Sequence, residues 1–376
     1  MNKFRENHLF KILSSFELQH LPLDVFLRNY FRSHSAVGAK DRRYLAETLY
    51  GMIRWRGLLD HLIGTPCTWE KRYACFLKIN PLDFLKEEKI PPHIRVSFPK
   101  AFFQMIQDCY GQEKGIDLCR ASNSQAPTTV RANLLKTTRE ALLEKWKDQY
   151  QVSATRTSPW GITFHRRINF FDTQEFKLGC FEVQDEGSQL VGALVEALPK
   201  QHVLDYCAGS GGKTLAFAPR MENKGVIYLH DIRPDALEEG RKRLRRAGVQ
   251  NAQLLFPDDE KSKKALKGTM DWVLVDVPCS GTGTLRRNPD MKWRFNSAAL
   301  ERLLLEQRTI FEEALSYLNP EGKIVYATCS LLTQENEQQI DYFQKQFRVE
   351  LVTPPFHSLP EVGGMDGFFA AVLKRG

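Results

Sequence analysis

From Val203 onward, short apolar runs alternate with helix-patterned stretches, and this alternation constrains the fold more than any other feature of the sequence. Val203–Tyr206, Val226–His230, Gln253–Phe256, Trp272–Val277 and Lys323–Thr328 read as strands. Helical stretches run from Pro234 to Ala247 and from Ser297 to Leu318. Thr333 is placed to cap a further helix, with Glu335 and Glu337 in its first turn. Phe368–Leu373 supplies a last strand. Strands joined through helices pair in parallel, so a doubly wound, Rossmann-like α/β sheet is expected. In such sheets, ligands bind at the carboxyl ends of the strands.

The first hundred residues read differently. Phe10, Leu13, Phe16 and Leu18 make one apolar helical stripe. Tyr44, Leu45, Leu49, Tyr50, Ile53, Leu58 and Leu62 make a second, with Arg43, Arg54 and Arg56 beside it. Prolines punctuate the run, as in a small helical bundle. From about Pro127, short strands at 128–133, 161–164 and 181–184 flank a helix from Thr138 to Tyr150. The expected division is a helical domain over 1–125, a small α+β (RRM-like) subdomain over 126–185 and the α/β domain over 186–376.

The length of 376 residues can bury a full core without disulfides or metals. No apolar run reaches about 18 residues, so no membrane span is expected. Residues 1–7 lack the apolar core of a signal peptide, so a cytoplasmic location is expected. The eight cysteines form no C-x-x-C pair and have no His cluster beside them, so no metal site is expected. Net charge is +8, and the first hundred residues hold 17 Lys/Arg against 10 Asp/Glu. A basic module beside near-neutral sequence points to a polyanion, nucleic acid first, or else to a merely soluble basic surface. The Arg/Lys run 241–246 lies with Glu238 and Glu239 and reads as a solvated helix face.

Chemistry concentrates after the strands. The first ends in Asp205-Tyr206-Cys207-Ala208-Gly209-Ser210-Gly211-Gly212-Lys213-Thr214. A G-x-x-x-x-G-K-[ST] phosphate loop would need Gly where Cys207 stands, although Trp272–Asp276 imitates the acidic strand of such NTPases. A dinucleotide G-x-G-x-x-G fails at Thr214. The remaining reading is the loop that meets the amino-acid end of S-adenosylmethionine. Asp231 ends the second strand, where a carboxylate accepts from both ribose hydroxyls; a plain helix cap is the alternative. Two thiols, Cys279 in Asp276-Val277-Pro278-Cys279 and Cys329 in Thr328-Cys329-Ser330, fall just past the ends of the fourth and fifth strands. If those strands pair, both face one substrate. A thiolate added to carbon 6 of cytosine makes carbon 5 nucleophilic, which gives a methyltransferase a use for sulfur.

Together with Arg286-Arg287-Asn288-Pro289-Asp290-Met291-Lys292-Trp293, Tyr326-Ala327-Thr328-Cys329-Ser330 and Phe181–Gln189, these motifs resemble the RsmB/Nop/Sun family of RNA cytosine-5 methyltransferases over about residues 125–376. The helical part is similar to the NusB-like RNA-binding domain of bacterial members, on Lys40–Arg43 and Tyr50–Trp55. The resemblance implies a class I methyltransferase fold with S-adenosylmethionine as cofactor. Its substrate would be RNA, 16S ribosomal RNA first, free or in an early small-subunit particle, and transfer RNA second. It makes Cys329 the nucleophile, has Cys279 help release the product, and sets Asp276 between the methyl-bearing end and the cytosine edge. Cys207, Ala208, Gly209, Ser210, Gly211, Gly212 and Lys213 would hold the methionine part, Asp231 the ribose and Asp258, or Asp259 beside it, the adenine side. The family's commoner loop is Cys-Ala-Ala-Pro-Gly-Gly-Lys, so Gly209-Ser210 is a departure. Arg286, Arg287, Lys292 and Trp293 are expected to meet RNA. A phosphate-loop NTPase and a non-catalytic RNA-binding assembly factor remain as alternatives.

Overall fold

The computed structural model describes residues 3–18 and 21–376; Met1 and Asn2, part of the stretch read for a leader, lie outside them. The chain forms two units, one reaching to Gln125 with Thr284–Asn296 added, the other made of Ala126–Gly283 and Ser297–Gly376.

The first unit is helical. Lys3–Glu17, Leu23–Ser33, Ala39–Arg54, Arg56–Ile63 and Trp69–Phe76 surround a core that includes Leu9, Ile12, Leu13, Leu45, Leu49 and Met52. These are the stripe positions a helix period demands. Leu18, expected in the first stripe, is 85% exposed because it falls beyond the helix end at Glu17. Lys100–Tyr110 and Gln112–Ser122 complete the main helices.

Thr284–Asn296 packs here and not with the α/β unit to which the sequence reading gave it. The reason is a helix end. The last carbonyls of Ala39–Arg54 can accept donors from outside the helix. Trp293 Nε1 donates to Ile53 O at 2.7 Å, and Lys292 Nζ donates to Arg54 O at 2.7 Å and to Asn123 Oδ1 at 2.8 Å. The ammonium also lies 4.3 Å from the centre of the Phe98 ring. Lys292 is 1% exposed and Arg286 2%. Burial, and then the nearby Arg54 charge, push the Lys292 pKa well below that of an ordinary lysine. This burial corrects the expectation of RNA contact for both residues. Arg287 and Trp293 are half-buried.

The second unit holds two sheets. Strands β1 (Thr128–Ala132), β2 (Val152–Ala154), β3 (Gly161–Phe164) and β4 (Phe181–Val183) form an antiparallel sheet in the order β2-β3-β1-β4. Helix Arg139–Trp146 packs on it, capped as expected by Thr138, whose hydroxyl accepts from Ala141 N. The main sheet contains β5 (His202–Asp205), β6 (Val226–His230), β7 (Ala252–Leu255), β8 (Met270–Asp276), β9 (Leu318–Thr328), β10 (Val349–Leu351), β11 (Phe356–Ser358) and β12 (Phe368–Arg375). Its order is β10-β12-β9-β8-β5-β6-β7, with β11 beside β12. From β9 to β7 the pairing is parallel; β12 runs antiparallel to β9, β10 and β11. Side chains alternate between two cores. Val203, Leu274 and Val325 pack with Leu215, Leu237 and Leu244 on one face, and Leu204, Val275 and Tyr326 pack with Phe311 and Phe343 on the other. Helices cover both faces, and the strand ends remain as the place for a site.

Candidate active site

The loop after β5 needs unusual backbone. Gly209 at φ 53° and Gly211 at φ 76° take left-handed conformations that a side chain disfavours. Gly209 N donates to Asp231 Oδ2 at 2.8 Å, joining the ends of β5 and β6. Arg243 braces the departure at Ser210, donating to its carbonyl at 3.0 Å and its hydroxyl at 2.7 Å. Arg243 and Arg246, one helical turn apart, also pair with the buried Glu182 of β4. The solvated-face expectation therefore holds for Arg241 and Lys242, which pair with Glu238 and Glu239, and fails for these two.

A cavity of about 590 Å³ opens beside the loop, lined by Cys207, Ala208, Gly209, Asp231, Ile232, Asp276 and Pro278, with Glu306, Ile310 and Glu313 on helix Ser297–Leu315. Its size suits a nucleoside carrying an amino-acid arm. Asp231 is buried at its edge. The helix Pro234–Ala247 has Arg233 at its N-cap position, so Asp231 is not that cap. Burial alone would raise the Asp231 pKa, but hydrogen bonds from Arg233 and Gly209 outweigh it and hold the group ionised, below the usual carboxylate value. Next to it, Ile232 is 76% exposed and offers an apolar surface. Asp258 is exposed and does not line this cavity, while Asp259 caps helix Glu260–Ala265 by accepting from Ser262 N.

The two thiols meet. Strands β8 and β9 pair with Asp276 opposite Ala327, so the residues just beyond them emerge side by side. The Cys279 and Cys329 sulfurs are 3.3 Å apart, and Cys329 N donates to Cys279 Sγ at 3.3 Å. The sulfur–sulfur hydrogen bond, then burial, then the charges of Cys329 and Glu335 raise the Cys279 pKa well above that of a free thiol. Lys213 Nζ donates to Asp276 Oδ2 at 2.5 Å. Burial works against its ammonium, but Asp276, Cys329 and Asp205 outweigh burial and raise its pKa. A cation thus stands in the electrostatic field of Cys329. The half-buried Cys207 is pushed upward, by desolvation first and then by Asp276, Asp205 and Asp231. Below the loop, Asp205 is raised to about 7 by burial, in spite of the Thr214 hydroxyl at 2.6 Å.

The structure thus brings together Cys279, Cys329, Asp276, Lys213, Asp231 and the glycine loop. It leaves Asp258 outside the cavity lining and buries Arg286 and Lys292 within the helical unit. Sequence reasoning missed Arg233 and Glu335. Thr333 does not cap the helix Glu337–Phe347; Asn336 holds that position, and Glu335 turns inward. The arrangement places two sulfurs, an ammonium and a carboxylate at one spot beside a nucleoside-sized cavity. Lys213 is paired with a carboxylate, which argues against the phosphate-loop reading.

Comparison with known proteins agrees with this geometry. A family model described as 16S rRNA methyltransferase RsmB/F matches residues 193–374, and one described as the Methyltr_RsmF/B-like ferredoxin-like domain matches 98–170. The ribosomal RNA small subunit methyltransferase B of Vibrio cholerae is 30% identical over 392 residues, covering 89% of this chain and 90% of that protein. The mouse 28S rRNA (cytosine-C(5))-methyltransferase is 29% identical over 312 residues, covering 74% of this chain and 39% of the mouse protein. The crystal structure of a methyltransferase homologue from Pyrococcus horikoshii superposes with a TM-score of 0.66 at 26% identity, over 79% of this chain and 99% of that one.

Proposed function

Because the chain belongs to the RsmB/F family of S-adenosylmethionine-dependent RNA cytosine-5 methyltransferases, we propose that it methylates a cytosine of 16S ribosomal RNA, in the cytoplasm, through a covalent Cys329 adduct. The observation that carries this reading is the 3.3 Å approach of the two sulfurs beside the Lys213–Asp276 pair. Cys329 supplies the nucleophile, and its sulfur, once deprotonated, bonds to carbon 6 of the ring. The electrons of the C5=C6 bond are thereby placed on carbon 5. Asp276 faces the ring edge, where its carboxylate can accept from the exocyclic amino group and orient carbon 5 toward the methyl donor. S-adenosylmethionine, held by the glycine loop and Asp231, supplies the electrophilic methyl group. Release then follows. The carbon-5 proton passes to water, its bonding pair re-forms C5=C6, and the C6–S bond breaks with its electrons returning to Cys329. Cys279, whose sulfur stands 3.3 Å from that of Cys329, donates its S–H to the departing thiolate and stabilises it. The target base must be unstacked, because sulfur attacks the face of the ring.

The substrate assignment rests on the names of the matching family and bacterial relatives and on the basic N-terminal hundred residues, for which a NusB-like RNA-binding role is proposed. Among the described residues, no helix is long and apolar enough to cross a membrane. Bisulfite sequencing of total RNA from cells with and without the gene tests the reading. One small-subunit cytosine should lose protection when the gene is deleted; an unchanged ribosomal pattern with a lost transfer RNA signal would move the substrate to transfer RNA. A second expectation concerns the cavity. Asp231→Ala removes the carboxylate proposed to accept from the ribose and the anchor of Gly209 N. Calorimetric affinity for S-adenosylhomocysteine should fall by about tenfold or more. An unchanged affinity would remove Asp231 from the cofactor site.

A further inference from the structure

Six residues beyond Cys329, Glu335 is 0% exposed, and among the described residues no Lys, Arg or His forms an ion pair with it. A buried carboxylate without a cation is tolerated only where hydrogen bonds replace its water. Its donors come from both thiol loops. Oε1 accepts from Ser280 N at 2.8 Å and from Gln307 Nε2 at 2.9 Å. Oε2 accepts from the hydroxyls of Ser280 and Ser330. Ser280 follows Cys279, and Ser330 follows Cys329. Gln307 Nε2 also donates to Pro278 O at 3.0 Å, on the other side of Cys279. The carbonyl of Glu335 accepts from Tyr326 OH at 2.8 Å, which fixes the carboxylate's own backbone to β9. One side chain thus gathers the segments that follow two different strands. Helix capping does not account for it, since the next helix begins at Glu337. A hydrocarbon of the same volume would fill the space but make none of these bonds.

We propose that Glu335 is a positioning residue that locks the β8 and β9 loops together, holds the Cys279 and Cys329 sulfurs at 3.3 Å, and so sets the rate at which the covalent adduct is released. The inference rests on the covalent reading above. Glu335 does not touch the substrate. Its effect falls on the step in which the C6–S bond breaks and its electron pair returns to Cys329, because that is the step in which the departing sulfur needs a donor held at hydrogen-bonding distance.

Glu335→Gln keeps the shape and removes the charge and one acceptor. With RNA and S-adenosylmethionine, multiple-turnover methylation should fall by about tenfold or more, first-turnover methylation with enzyme in excess should fall much less, and a protein–RNA adduct should accumulate on denaturing gels. Equal loss in both rates with no adduct would overturn the proposal, as that is what mere loss of folded enzyme produces. Ser330→Ala keeps the carboxylate and cuts one tie. It should shift the same ratio in the same direction, and it decides the matter if Glu335→Gln does not fold. Cys279→Ala serves as the control. Adduct there but not in Glu335→Gln or Ser330→Ala sinks this inference alone, no adduct in the control with normal turnover removes Cys279 from release and this inference with it, and unchanged methylation by Cys329→Ala sinks the Cys329 adduct itself.

Discussion

Replacing Cys329 by Ala should abolish methyl transfer, lowering first-turnover incorporation of labelled methyl into an RNA transcript by at least about a thousandfold, which corresponds to roughly 4 kcal/mol of barrier. The expectation is this large because no other group can take the sulfur's place. Cys207 is half-buried, and desolvation, then the charges of Asp276, Asp205 and Asp231, push its thiol pKa upward. The Cys279 pKa is raised by its hydrogen bond to Cys329, its burial and the Glu335 carboxylate. Cys329 combines a half-buried sulfur, a second sulfur 3.3 Å away and the charge of the Lys213 ammonium. The substitution should leave the scaffold intact. The bond from Cys329 N to Cys279 Sγ uses backbone, and Thr328 and Ser330 on either side keep their ties to Asn336 and Thr282. Affinity for S-adenosylhomocysteine should therefore stay near that of the wild type. If Cys329→Ala methylates normally and Cys279→Ala does not, the two sulfurs have exchanged roles.

The parts of this site that the sequence made legible are those set by the strand period. β6 begins and ends as read, from Val226 to His230, because its apolar residues lie between clear breaks. The prediction that both thiols share one site followed from the pairing of β8 with β9, and a parallel ladder allows no other outcome once Asp276 stands opposite Ala327. What stayed hidden depends on partners distant in the chain. Glu335 has the spacing of a first-turn helix acid, and nothing local says that its donors are Ser280 and Gln307, 55 and 28 residues away. Lys292 and Arg286 have the composition of an RNA-facing segment. The burial of Lys292 is set by the Arg54 carbonyl at the end of a helix more than 200 residues earlier, and the Arg286 carbonyl accepts from the Arg54 side chain of that same helix. Arg243 and Arg241 look alike in sequence, and only the position of Glu182 on β4 separates a buried pair from a surface one. The short strands β10 and β11 form by pairing with β12, and three residues each is too little for a periodic signal.

Replacing Cys279 by Ala should have the opposite signature to loss of Cys329: the RNA should become methylated but stay bonded to the protein. Alanine leaves Lys213, Asp276 and the Cys329 sulfur in place, so addition to carbon 6 and methylation of carbon 5 can proceed. The substitution removes the S–H that stands 3.3 Å from the sulfur that must leave. Without that donor the departing thiolate is less stabilised, and a charge-assisted hydrogen bond of this kind contributes about 1.5–3 kcal/mol, enough to slow release roughly ten- to hundredfold. When release is slower than addition and methylation, the adduct becomes the dominant form of the enzyme. It should appear as a band of reduced mobility on a denaturing gel, carry labelled methyl, disappear on ribonuclease treatment and be absent from the Cys279→Ala, Cys329→Ala double variant. A gel shift that persists in the double variant would assign the bond to some other residue. No shift in the single variant, with normal turnover, would leave the donor at position 279 without a part in release.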